Sequence, residues 1–205
     1  MAQLTLSPGL AWQDLKLDLA EVVLLEGFLG AREALDLFET FHRETAWRQD
    51  RIRVMGKEHP LPRLQAWYGD PVEYVWSGVR LTPHPWTPAL QALRARVEGA
   101  TGASYSSVLL NLYRDGQDSV AWHADDEPGL VPGAPIASVS LGAARDFQLR
   151  RSWMGSAAGP IVTVPLRPGS LLVMGGETQR HWRHALPRRR RVAGARINLT
   201  FRRMR

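Results

Sequence analysis

Cysteine is missing from all 205 residues. That excludes disulfides, thiolate catalysis and metal centres held by sulfur, so any metal must be bound by His, Asp or Glu. Long apolar runs are missing too: none reaches the roughly 20 residues that a membrane-spanning helix needs. The first residues, Met1-Ala2-Gln3-Leu4-Thr5, bring neither a basic segment nor a long apolar core. The expectation is a cytoplasmic protein with no secretory signal and no membrane partner. Internal repeats and low-complexity tracts are absent as well. What remains, 44% apolar and 22% charged residues, is ordinary for a globular protein, and the length suits one well-packed domain, expected as a monomer.

Acidic residues are also missing locally. Residues 187–205 hold Arg188, Arg189, Arg190, Arg191, Arg196, Arg202, Arg203 and Arg205 and no Asp or Glu. The net charge is +6, so the other 186 residues sum to −2. The basicity is therefore local. A solvated basic tail gives such a run, but Arg145, Arg150, Arg151, Arg180 and Arg183 precede it, which favours a surface that meets a nucleic-acid polyanion.

Two helices precede a strand-rich remainder. Residues 30–45 place Ala34, Leu35, Phe38 and Phe41 on one helical face, and residues 86–98 place Leu90, Leu93 and Val97 on another, with Pro88 near the start. Residues 107–113, 136–141, 146–150, 161–166, 170–174 and 196–202 are short, β-rich and bounded by Gly, Pro or Asp. The pattern predicts an α+β protein built around a β-sandwich or small barrel. The Pro- and Gly-containing stretch 126–135 reads as a loop.

Two constellations stand out in that frame. His123 and Asp125 are spaced i, i+2, which on a strand puts both side chains on one face. His184, 59 residues after Asp125, would complete a 2-His-1-carboxylate set, an arrangement suited to Fe(II) with open positions; the same ligands could hold zinc with a bound water. His181 is the alternative third ligand. His184 is preferred because it opens an extended His-Ala-Leu-Pro piece, whereas His181 falls in the turn before it. The second constellation is residues 196–202. Ile197, Leu199 and Phe201 alternate with Arg196, Asn198, Thr200 and Arg202. A half-exposed strand alternates in the same way. In a small barrel the polar face instead lines a cavity, where two guanidiniums would bind a small dicarboxylate. Asn111 and Tyr113, also i, i+2, could add an amide and a phenol.

The chain resembles the AlkB-type Fe(II)/2-oxoglutarate-dependent dioxygenases, in the branch that repairs alkylated nucleobases. The matching stretches are Asn111-Leu112-Tyr113-Arg114-Asp115-Gly116, His123-Ala124-Asp125-Asp126-Glu127, residues 135–142, Arg145-Asp146-Phe147, residues 181–187 and residues 196–202, in family order across about residues 60–203. The resemblance implies a double-stranded β-helix, or jelly roll, over residues 105–205, preceded by a nucleotide-recognition lid at about 50–80. It implies a single domain from residue 26 to 205, with residues 1–25 as an N-terminal extension. It places iron on His123, Asp125 and His184, and 2-oxoglutarate on Asn111, Tyr113, Arg196, Asn198, Thr200 and Arg202. Arg196 would take the distal carboxylate, and Arg202 would lie toward the metal. In the lid, Met55 falls where relatives carry a wedge between bases, Arg63 follows in the same segment, and Trp76 falls where an aromatic stacks on the flipped base. Trp67 reads as core packing, and Trp86 as a cap for the second helix.

The implied activity is oxidative demethylation of bases such as N1-methyladenine and N3-methylcytosine in DNA, with RNA as an alternative, by Fe(II), 2-oxoglutarate and O₂. Formaldehyde, succinate and CO₂ would be released. Asp126, beside Asp125, is expected to favour the positive charge of such bases and orient their exocyclic amine. Arg188 and Arg189, with the two arginines that follow, are expected to meet phosphates and to make binding strongly salt-dependent. Three other readings stay open. One is a related dioxygenase acting mainly on RNA or a non-nucleic substrate; another is a non-enzymatic nucleic-acid-binding barrel. The weakest, a zinc hydrolase, leaves Arg196 and Arg202 without a role.

Overall fold

Strands β1 (Gln13–Asp14) and β2 (Glu21–Leu25) precede helix α1 (Ala31–Glu44). Two hairpins and a strand follow: β3 (Arg51–Val54) with β4 (Lys57–Pro60), then β5 (Leu64–Gly69), then β6 (Tyr74–Trp76) with β7 (Val79–Leu81). Helix α2 (Pro88–Thr101) leads into β8 (Ser107–Tyr113), β9 (Val120–His123), β10 (Ile136–Gly142), β11 (Arg145–Arg151), β12 (Ile161–Leu166) and β13 (Leu171–Gly175). The single-turn α3 (Thr178–His181), β14 (Trp182–Leu186) and β15 (Arg196–Arg202) complete the chain. This computed structural model describes residues 4–54, 56–71, 74–76, 79–152 and 159–205, with the backbone alone at 54, 74–76 and 79–81.

Seven strands form a major sheet in the order β1-β2-β13-β10-β15-β8-β5, and four form a minor sheet, β12-β11-β14-β9. Their pairings are antiparallel. Both faces of the major sheet are covered. On one side Ala137, Val139, Leu171, Ile197, Leu199 and Phe201 pack beneath α1 and α2. On the other, Val22, Leu24, Leu172 and Met174 meet Leu149, Val164 and Trp182 of the minor sheet. Burial on both faces is why β13 reads Leu171-Leu172-Val173-Met174 with no polar alternation. Two facing sheets with helices behind one of them make the jelly roll expected from the resemblance.

Helix α2 is set by local chemistry. Thr87 caps its first turn by accepting from the Leu90 N–H, Pro88 stands at the start, and Gly102 ends it with φ 63. Trp86 is not the cap; its indole N–H donates to Asp70 at 2.8 Å. In α1, Ala34 and Phe41 are buried, but Leu35 is 49% exposed and does not share their face.

The boundary expected at residue 25 moves. Glu21–Leu25 is not an extension but a strand of the major sheet, registered against Leu171–Gly175. It buries Val22 and Leu24 between the sheets and Val23 and Leu25 toward the helices. Within the 50–80 region, β3–β4 and β6–β7 are separate two-stranded ribbons. Leu24→Ala is expected to cost about 2–5 kcal/mol in urea unfolding, whereas Leu35→Ala should stay within about 0.5 kcal/mol. Equal losses at the two sites would contradict the placement of β2.

Candidate active site

β9 and β14 pair with His123 opposite His184, so two imidazoles enter the space between the sheets from adjacent strands, ring centroids 4.2 Å apart. The register slips between His184 and Leu186, and a bulge of this kind re-aims side chains. Asp125 arrives differently. β9 ends at His123, so the strand geometry expected to align the pair does not apply, and the carboxylate is carried by the following loop. It is fixed there at two points. Arg202 donates to its Oδ1 at 2.6 Å, and its own backbone N–H donates to Gln179 Oε1 at 2.9 Å. Asp125 Oδ1 lies 3.8 Å from His123 Nε2, and Oδ2 lies 3.9 Å from His184 Nε2. One ligand atom from each of the three lies within 4.8 Å of the others.

Burial alone would raise the Asp125 carboxyl, but the charge of Arg202, then those that His184 and His123 carry in acid, outweigh it and hold the group at about 2. Burial pushes His184 down to about 4 against the upward pull of Asp125. An ionised carboxylate and a neutral imidazole are the forms a metal requires. Phe147 stacks on His184 with centroids 5.3 Å apart and fixes the ring plane.

The second half of the site is built by register. On β15, Arg196, Asn198, Thr200 and Arg202 face inward, opposite Tyr113, Asn111, Leu109 and Ser107 of β8. Gln65 of β5 lies opposite Asn111 in turn. Arg196, Asn198, Thr200 and Arg202, with Tyr113, Asn111 and Leu109, line one cavity together with the His-Asp-His group, and Arg63 also borders it. Arg202 is six residue steps along the strand from Arg196, about 20 Å at full extension, so they stand toward opposite ends. Several polar groups already have partners. Asn198 donates to Ser138 Oγ at 2.7 Å, Thr200 donates to Asn198 Oδ1 at 2.9 Å, and Arg63 and Gln65 both donate to Asn111 Oδ1.

Arg196 differs. It is 2% exposed, donates to Ser140 Oγ at 2.9 Å, and has a buried Nε without a partner among the described residues. Its guanidinium lies 5.5 Å from the Tyr113 ring centroid, and burial lowers its pKa to about 10. A buried cation that faces a polar cavity and has no carboxylate partner among the described residues calls for an anionic ligand. The donor set and this cation fit a divalent metal and a small dicarboxylate in the same cavity.

Other expected residues lie elsewhere. His181 ends α3 and does not line the cavity. Asp126 is exposed and borders an outer groove. Arg188, Arg190 and Arg191 are exposed, while Arg189 pairs with Asp146 at 2.7 Å. Their loop is pinned by reciprocal backbone bonds of Gly116 with Arg189 and Val192, where a Cβ on Gly116 would overlap the Arg189 carbonyl. Met55 and the side chain of Trp76 lie outside the described residues. Trp67 is half-buried and lines a pocket with Leu109, Glu127 and Arg202. Glu127 was not singled out from the sequence, yet its Oε2 is buried without a partner among the described residues. The available signal was its place two residues beyond Asp125.

A family model described as the 2OG-Fe(II) oxygenase superfamily matches residues 21–202. The chain belongs to this superfamily. It is 42% identical over 209 residues to the Homo sapiens protein named DNA oxidative demethylase ALKBH2, covering 97% of this chain and 78% of that one. It is 40% identical over 189 residues to the Rattus norvegicus alpha-ketoglutarate-dependent dioxygenase alkB homolog 3, covering 89% of this chain and 64% of that one. The solved structure of OsALKBH1 superposes with a TM-score of 0.63 over 94% of this chain and 99% of that one; at 18% identity this speaks for the fold alone. The chain is therefore an AlkB-type enzyme, and its family is one that uses Fe(II) and 2-oxoglutarate.

The metal-free protein should report the burial of His184 in its stability. The unfolded chain protonates this imidazole near 6.5, the folded one only near 4. Between those values the unfolded state binds more protons, so stability falls as pH drops through that window. Urea midpoints measured from pH 7 to 4.5 should decline more steeply for the wild type than for His184→Gln. Equal slopes would contradict the buried neutral imidazole.

Proposed function

We propose that this chain is a DNA oxidative demethylase that removes methyl groups from ring nitrogens of bases such as N1-methyladenine and N3-methylcytosine. The observation that carries the reading is the pairing, in one cavity, of a His-Asp-His cluster with a buried arginine that has no carboxylate partner among the described residues. The names of the relatives at 40–42% identity support the substrate class.

Fe(II), 2-oxoglutarate and O₂ would supply the oxidant for a C–H bond. Oxidising the N-methyl group gives an N-hydroxymethyl base, which breaks down to formaldehyde and the restored base, while 2-oxoglutarate leaves as succinate and CO₂. The side chains of His123, Asp125 and His184 would hold the iron, with Asp125 kept ionised by Arg202. Arg196 would anchor the distal carboxylate of the cosubstrate, with Tyr113 packed beside it. Phe147, Leu186 and Met174 give the cavity apolar walls that exclude water. His123 has a side chain 38% exposed, so the site is open on its side toward solvent. Glu127, whose buried Oε2 has no partner among the described residues, would accept from the exocyclic amine of a cationic base, a role expected from the sequence for Asp126.

The reacting edge of such a base is hidden in a duplex, so the base must be flipped or already unpaired. Trp76 would stack on it and Met55 would fill the gap. Arg63 would border the base, and arginines 188–191 would take phosphates. A cytoplasmic monomer is part of the same reading. Among the described residues no helix is long and apolar enough to cross a membrane.

The test starts an anaerobic mixture of enzyme, Fe(II), 2-oxoglutarate and an oligonucleotide bearing one N1-methyladenine with oxygen, in parallel on DNA and RNA. Formaldehyde and succinate should appear in equal amounts on DNA, and His184→Ala should yield neither. Succinate without formaldehyde on both oligonucleotides would point to another substrate. No succinate with any of them would rule the reading out.

A further inference from the structure

We infer that Gln179 is a positioning residue for the metal, acting through the backbone of Asp125; this rests on His123, Asp125 and His184 being the metal site. Asp125 is the weak point of that site. The two histidines are held by paired strands, but β9 has ended before the carboxylate. The Asp125 N–H thus has no ladder partner, and a part-buried amide needs one. It finds the side-chain carbonyl of Gln179, 54 residues away in sequence, at 2.9 Å.

The geometry of Gln179 suits that task. A backbone N–H can only donate, so the carbonyl oxygen of the amide must face it. The amide nitrogen then points at Met174 Sδ, 3.6 Å away. Gln179 stands on α3, and Thr178 beside it is tied on both sides, donating to the Gly175 carbonyl at 2.6 Å and accepting from the Glu21 N–H at 3.0 Å. That turn continues directly into β14, which carries His184. Gln179 therefore couples the loop bearing the carboxylate ligand to the segment bearing the second imidazole. Arg202 fixes the carboxylate end of Asp125, and Gln179 fixes its main-chain end.

Gln179 also borders the outer groove together with Asp125, Asp126 and Glu127. Losing its side chain would open the Asp125 amide to that groove and free the loop to turn the carboxylate away. Groups that orient metal ligands in this way typically alter metal affinity by about 10- to 100-fold when removed.

Gln179→Met keeps the length of the side chain and removes the acceptor. Gln179→Glu keeps an acceptor, and Gln179→Ala provides a second loss variant should the first fail to fold. Three quantities would be measured: deuterium exchange of the Asp125 amide in metal-free protein, the Kd for Mn(II) as a redox-inert stand-in, and the thermal midpoint. The expected result is Asp125 exchange at least about 10-fold faster and Mn(II) binding about 10- to 100-fold weaker in the Met and Ala variants. Asp125 protection should be kept in the Glu variant, and the thermal midpoints should stay close. Wild-type Mn(II) binding with an unchanged Kd in Gln179→Met would overturn the proposal alone. A wild type that binds no Mn(II) would overturn the metal-site reading and this proposal with it.

Discussion

The desolvated guanidinium of Arg196 constrains the rest of the site. Burying a cation with no carboxylate partner among the described residues costs several kcal/mol, and the closure of two sheets over Arg196 imposes that cost. The neighbours of Arg196 are a serine hydroxyl and a phenol ring rather than a carboxylate, so its charge remains available. At the other end of the same strand the opposite arrangement holds. Arg202 is bound to Asp125 and sets the charge of that carboxylate. One strand thus carries one arginine paired with a carboxylate and one with no carboxylate partner among the described residues.

The antiparallel register gives those two residues their meaning. β15 lies between β10 and β8, and its odd positions enter the core beneath the helices. Its even positions are then forced into the space between the sheets. A one-residue slip would put Ile197, Leu199 and Phe201 in the cavity and the arginines against the helices. The buried apolar face therefore protects the register on which the ligand cavity depends.

Much of this was legible in the sequence. The alternation over residues 196–202, the choice of His184 over His181 and most strands of the core follow from side-chain period and turn residues. The alternation alone could not say whether the polar face met water or a cavity; only the second sheet decides that. Glu21-Val22-Val23-Leu24-Leu25 hid as part of an extension because a short apolar run without alternation carries no period, and its partner strand lies 146 residues or more away. Asp125 was expected on a strand because i, i+2 spacing does not reveal where a strand ends. Gln179 and Glu127 were invisible for a related reason. One makes its key contact across 54 residues, and the other reads as a surface acid until its burial is known. Leu35 misled because helical period defines a face only to within one residue.

The central claim is that metal and dicarboxylate occupy one cavity, with the cluster of His123, Asp125 and His184 binding the first and Arg196 anchoring the second. A crystal structure of the protein grown anaerobically with Mn(II) and 2-oxoglutarate tests it most directly. The expected density is a metal held by those three side chains and a cosubstrate carboxylate against the Arg196 guanidinium. Mn(II) bound elsewhere, or a cosubstrate that leaves Arg196 without an anion, would contradict it.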